Sequence, residues 1–182
     1  PDPIPFGPGF LMEYMPRGSL RDVLDQTKKG GVDIPWDARR DIAAQICDGM
    51  NFLHAKGFLH RDIKAANVLV VGAEGWTVQI ADFGSAKMQQ FNQSTTGGGG
   101  KGTLRWKSPQ RFQVPSIPYA KSDDVFGFGI LLIELVTREF PGRDLEDAQV
   151  NKCLGECFKV NQRKLKRGES EEDQRLDWLE DY

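Results

Sequence analysis

Apolar and polar positions alternate in different ways along the chain, and the changes of pattern predict its elements. GFLMEYM (9–15) reads as a short buried strand that runs into Pro16 and Gly18. Ser19 then opens a helix, SLRDVLDQ, with Asp22 at capping-box spacing: the serine oxygen can take a free backbone N–H and the acid can answer it. KKGGVDIP (28–35) is a loop. From Trp36 to Lys56, Ile42, Ile46, Met50 and Leu53 recur at three and four, which predicts an amphipathic helix. Gly57 suits its C-terminal cap. FLHRDIKAANVLVV (58–71) gives an apolar piece, a polar loop and a second apolar piece. In WTVQIADFG (76–84), Val78 and Ile80 alternate as in a strand. Residues 85–121 are mostly irregular, and 125–136 are apolar nearly all round, as in a central helix buried on most sides. After Pro141-Gly142 the last forty residues are highly charged, RKLKR (163–167) being followed by ESEED (169–173). There is no internal repeat.

Composition narrows this picture. A chain of 182 residues suits one domain with a substantial core, and 39% hydrophobic with 27% charged residues are globular values. A net charge of −2 gives no support to nucleic-acid binding. No apolar run reaches the roughly 18 residues of a membrane span, and no signal-peptide pattern stands at the N-terminus. Three cysteines fit a reducing compartment. Cys153 and Cys157 could share a helix face, but a zinc site would need two more ligands from Cys47, His54 and His60, so a metal there is not expected. RKLKR reads as a solvated helix face in preference to an import signal.

GGGGKGT (97–103) invites a phosphate-loop reading and fails it. Thr95 stands where the first glycine should be, and Gly102, not a hydroxyl residue, follows Lys101. A flexible loop is the expectation. Phosphate chemistry is better sought in HRDIKAAN (60–67) and in DFG (82–84). Asn67 and an acid can offer oxygen ligands to Mg²⁺. Lys64 can offset phosphate charge, and the other acid can accept a proton from an attacking hydroxyl. Either triplet alone reads better as a turn.

Together they carry a resemblance. His60-Arg61-Asp62 with Asn67 is similar to the H-R-D-x-x-x-x-N loop of the eukaryotic protein kinases, and Asp82-Phe83-Gly84 to their D-F-G. LMEYMPRGSL (11–20) resembles the hinge and the helix after it. SPQ (108–110) resembles A-P-E with two departures, and SDDVFGFGILLIEL (122–135) the central helix. The resemblance covers roughly residues 10–142. It implies an α+β kinase-like fold, mainly the helical C-terminal lobe with the hinge (about 10–16) and a lobe core over 17–142. Residues 143–182 are then a divergent charged stretch.

The resemblance also implies roles. Asp62 is the catalytic base, and Lys64 touches the transferring phosphate. Asn67 and Asp82 hold Mg²⁺. Met12 is the gatekeeper, Glu13 and Met15 offer hinge backbone to the adenine of ATP, and Leu69 lies beneath the ring. Asp124 braces the loop backbone, while His60 and Phe83, with Gly84 beside it, stack in the regulatory spine. Residues 85–109 resemble the activation segment, with Ser94, Thr95 and Thr96 as phosphate acceptors and Arg61, helped by Lys87, as partner. Lys64 and Gly102-Thr103 resemble the serine/threonine kinases, with Thr103 linked to Asp62 and Lys64, whereas RWKSP (105–109) has a tyrosine-kinase flavour. The mixture resembles the tyrosine-kinase-like group. A protein substrate and a cytoplasmic location follow from the resemblance; the oligomeric state does not.

The pattern also breaks. Before residue 12 there is no lysine and no glutamate, and the first lysine is Lys28. The N-terminal β lobe, with its Gly-rich loop and strand lysine, is therefore expected to be largely missing from these residues, which leaves them with little activity alone. Gln110 replaces the glutamate of A-P-E. The alternative is a pseudokinase-like binding module without turnover; a small-molecule phosphotransferase is disfavoured by GTLRWKSPQ, which is shaped to hold a peptide.

Overall fold

The computed structural model describes residues 13–88, 101–113, 118–150 and 152–153. Helix α1 (Leu20–Lys28) begins as its sequence predicts: Ser19 Oγ accepts from Asp22 N, and the Asp22 carboxylate accepts from Ser19 N at 2.8 Å. These bonds hold the Asp22 carboxyl below its ordinary range. Helix α2 (Trp36–Ala55) buries the stripe Ala38, Ile42, Ile46 and Met50. It ends where Gly57 adopts φ +79°, a left-handed conformation that costs glycine nothing.

Two short antiparallel pairs follow. Strands β2 (Val68–Val70) and β3 (Val78–Ile80) pair with Val68 opposite Ile80 and Val70 opposite Val78. Strands β1 (Phe58–Leu59) and β4 (Lys87–Met88) pair Phe58 with Met88. The β2–β3 pair lies on α2, close enough that a Cβ at Gly49 would stand 3.0 Å from Ile80 Cδ1. Helix α3 (Gln110–Gln113) is one turn, and α4 (Lys121–Thr137) closes the other side of the core. Leu20, Leu24, Ile34, Ile42, Ile46, Val68, Val70, Leu131 and Leu135 are almost fully buried in one cluster. Each such aliphatic side chain contributes roughly 1.5–3 kcal/mol of transfer free energy.

Arginines tie the ends of α4 to the front of the chain. Arg39 donates to the carbonyls of Ile34, Leu135 and Val136, and Arg21 to those of Arg138 and Glu139. The last carbonyls of a helix lack intrahelical partners, so these bonds also cap it.

Three sequence expectations change. Residues 13–15 form no strand: Met15 O accepts from Gly18 N in a turn, and Tyr14 is 83% exposed. Residues 9–12 lie outside the described residues. The central helix is not buried all round: Val125 and Val136 are exposed, whereas Asp123, Asp124 and Glu134 are buried. The buried side of α4 mixes the core residues Leu131 and Leu135 with these three acids. The described parts of 85–121 are also more regular than expected. Lys101–Trp106 forms a 3₁₀ turn, fixed by Arg105, which donates to Pro141, Gly142 and Leu145 carbonyls, and by the buried Trp106. Residues 97–100 of the glycine run lie outside the described residues.

Candidate functional site

The site is built where the loop 60–67, the β2–β3 pair and α4 meet. Its frame is Asp124, which is 2% exposed. One oxygen accepts from His60 N at 2.9 Å and from His54 Nε2 at 2.8 Å; the other accepts from Arg61 N at 2.7 Å. Two successive N–H groups on one carboxylate force a sharp bend, and Arg61 takes φ +71°. A non-glycine residue in that region is strained by roughly 1–3 kcal/mol and needs such support. Gly127 permits the close approach, since a Cβ there would stand 3.0 Å from Ile63 O.

Asp62, almost buried, projects from that bend. Its Oδ2 accepts from Lys64 Nζ at 2.7 Å and Asn67 Nδ2 at 2.8 Å. Its Oδ1 is buried without a partner. Asn67 Nδ2 also donates to Asp62 O at 2.8 Å, so the Asn67 amide is oriented and its oxygen accepts no hydrogen bond among the described residues. One carboxylate thus has an anchored oxygen and an idle one.

The hairpin brings Asp82 to the same place. Ala81 N donates to Asn67 O at 2.8 Å, which extends the β2–β3 register by one step and sets Asp82 beside Asn67. Asp82 has φ +61° and ψ +69°, is exposed, and accepts from Gly84 N at 3.2 Å. The buried His60 ring donates through Nε2 to Ala81 O at 3.0 Å and meets Phe83 edge-on at 5.5 Å, although Phe83 itself is 52% exposed.

A second anchor went unread in the sequence. Glu134 is fully buried on α4. Its Oε2 accepts from Ala65 N at 3.1 Å and Trp106 Nε1 at 2.7 Å, and its Oε1 from Arg21 at 3.3 Å. Burial raises its carboxyl above the ordinary range, against the pull of these donors. One side chain therefore joins α1, the loop and the 3₁₀ turn. The only sequence signal was an acid in an otherwise apolar run.

The structure gathers His60, Arg61, Asp62, Lys64, Asn67, Asp82, Phe83, Gly84 and Asp124 at one end of the core. Leu69 sits at the middle of β2, bridged to Ser19, and Val70 N donates to Gly18 O at 3.0 Å, so the chain just after Met15 lies along β2. Glu13 is exposed, and no bond links it to the Asp62 cluster. Thr103 falls in the 3₁₀ turn. Met12, Ser94, Thr95 and Thr96 lie outside the described residues. No cluster of three or more His, Cys, Asp or Glu suited to a metal occurs among the described residues. The oxygen donors of Asn67 and Asp82 nevertheless suit a hard cation such as Mg²⁺.

Comparison with known proteins gives the chain's family. Residues 8–171 match the family described as protein tyrosine and serine/threonine kinase. The chain is similar to Receptor-like protein kinase 5 of Arabidopsis thaliana, with 37% identity over 138 residues. That similarity covers 72% of this chain and 13% of the relative. No helix among the described residues is long and apolar enough to cross a membrane.

Proposed function

The chain belongs to the protein tyrosine and serine/threonine kinase family, and from that premise we propose that it supplies the catalytic loop of an enzyme transferring the γ-phosphoryl group of Mg²⁺-ATP to a serine or threonine hydroxyl of a protein. The observation that carries the proposal is the two-sided state of Asp62: Oδ2 held by Lys64 and Asn67, Oδ1 buried and idle. A base must be fixed, yet keep one oxygen ready for the proton it takes.

Each residue then has one task. Asp62 orients the acceptor hydroxyl and takes its proton at Oδ1. Lys64 holds Oδ2 and leans its positive charge toward the transferred group. The Asn67 amide oxygen and the Asp82 carboxylate would hold magnesium, which would neutralise charge on the phosphates. Leu69 supports the adenine from β2, with Met12, Glu13 and Met15 offering backbone beside it. Positioning and charge stabilisation carry most of this reaction, so residues 1–182 in isolation, with no lysine before Lys28, transfer phosphate poorly. Lys64 and Gly102-Thr103 support serine and threonine over tyrosine.

The test uses the full native polypeptide that carries this chain. ATP-dependent labelling of a protein substrate on serine or threonine is expected, with kcat lowered about 10²–10⁴-fold in Asp62→Ala. Unchanged turnover in Asp62→Ala overturns the assignment. Binding of partners without any transfer would favour the reading as a binding module.

A further inference from the structure

The segment ahead of α1 is tied to the β2–β3 pair in two ways. Backbone groups hold its end: Val70 N donates to Gly18 O at 3.0 Å, and Ser19 bridges Leu69. A side chain holds its middle. The half-buried Arg17 guanidinium donates to Gly75 O and lies over the Trp76 ring, 4.5 Å from its centroid. Among the described residues, these are the only hydrogen bond and ring contact that carry 13–17 to a distant part of the chain. Met15 O accepts locally, from Gly18 N, and Glu13 and Tyr14 are exposed.

The far end of this clamp is firm. Trp76 packs against the main core cluster. Its carbonyl accepts from Gln45 Nε2 at 3.1 Å, and Gln45 Oε1 accepts from Val78 N at 2.9 Å, which fastens the ring's own backbone to α2. Gly72 and Gly75 take φ +74° and +77° around the tip, and Val71 N closes it on Thr77 O at 2.8 Å. Leu69 is half-buried between the buried Val68 and Val70, so it faces away from the core.

We infer that Arg17 is a positioning residue for the nucleotide: held by Gly75 O and the Trp76 ring, it fixes the backbone of 13–15 relative to Leu69, the two sides between which an adenine ring would sit. The inference rests on the nucleotide-binding reading given above. Backbone that is already fastened loses less freedom when a ligand arrives, so the clamp acts through preorganisation. Arg17 makes no bond to the Asp62 cluster and takes no part in the transfer. Its positive charge is turned toward a carbonyl and a ring face, both of which favour a cation.

Binding to the full native polypeptide is measured by calorimetry with Mg²⁺-ADP and, separately, with uncharged adenosine. Arg17→Ala is expected to bind both about 3- to 10-fold more weakly. The KM for ATP should rise by the same factor, with kcat unchanged. Trp76→Leu keeps the charge and the apolar packing but removes the ring face; it should show a similar loss, and the double variant little more than either alone. Arg17→Lys should recover part of the affinity. Glu74→Ala, on the same tip, serves as the control and should bind as the unsubstituted protein does, with circular dichroism checking that each variant is folded. Undiminished affinity in Arg17→Ala overturns the inference. So does a loss for ADP without one for adenosine, which would make Arg17 a charge partner of the phosphates, and so does an equal loss in Glu74→Ala. An unsubstituted protein that binds neither ligand would instead sink the nucleotide-binding reading itself, and this inference with it.

Discussion

The loop 60–67 and the turn 82–85 meet at the same end of the β2–β3 pair, yet they are built in opposite ways. The loop is buried, and its backbone is held from outside by Asp124 and Glu134 on α4. The turn is exposed, and its one side-chain bond, Asp82 with Gly84, is internal and 3.2 Å long. Both contain a non-glycine residue at positive φ, Arg61 and Asp82. At Arg61 the strain is over-determined by two bonds to a buried carboxylate; at Asp82 it is not. On the proposed reading, the base has to be fixed before substrate arrives, whereas the turn that would hold the metal can complete its geometry on its ligand. Free energies of local opening differ across a fold in this manner, from near zero in exposed turns to the global value in anchored cores.

The sharpest way to break the contrast is at Asp124. Asp124→Ala leaves His60 N, Arg61 N and the His54 ring without their acceptor. A loss of about 3–5 kcal/mol in urea denaturation is expected, together with fast amide exchange at residues 60 and 61. Protection retained at those two amides would show that the carboxylate does not hold the bend.

Glu134→Ala comes next. It strands Ala65 N and Trp106 Nε1 and removes one of several partners of Arg21, for a loss of about 2–4 kcal/mol by the same measurement. Glu134 also gives a pH signature. Its folded-state pKa is raised by burial, so the folded state keeps the proton longer than the unfolded chain. Stability therefore falls as pH rises from about 4.3, the unfolded value, to the folded-state value, and is flat above it. Thermal melts across pH should show this decline and lose it in Glu134→Gln. Arg21→Met removes the nearby positive charge and should move the upper end of the window to higher pH. Asp22 runs the other way: its pKa is depressed, so its contribution is present above about 3.9 and disappears as pH falls through the folded value.

The smallest effect is expected in the turn. Asp82→Gly relieves the positive φ and removes only one exposed bond, so stability should stay within about 1 kcal/mol and move toward gain. Mg²⁺-dependent transfer in the full polypeptide should nevertheless vanish. A large destabilisation by Asp82→Gly would erase the distinction between the two regions.

Local signals made much of this legible. The capping box at Ser19, the stripe of Ile42, Ile46 and Met50, the cap at Gly57 and the alternation of Val78 and Ile80 each depend on neighbours in sequence, and each was readable there. The loop and the turn could be singled out because their chemistry is compressed into HRDIKAAN and DFG. What could not be read was long-range. Glu134 looks like one acid in an apolar run until its three donors arrive from distant parts of the chain. The apolar residues of 125–136 promised burial all round, because periodicity cannot say which side of a helix meets a partner. Residues 13–15 have the composition of a strand but turn away at Gly18.

The bonds of Glu134 bear on how the protein is made. Its donors lie 113, 69 and 28 residues earlier in the chain. At about 5–20 residues per second on the ribosome, the loop around Ala65 waits roughly 3–14 s for the side chain that will hold it, and Arg21 on α1 waits longer. During that interval the first half of the domain is out of the exit tunnel with its polar bend unlocked and the apolar stripe of α2 uncovered. Emergence of α4 is therefore the event that ends the nascent chain's exposure to chaperones. A pause in translation before α4 has left the exit tunnel would prolong that exposure more than a pause of equal length after it has emerged.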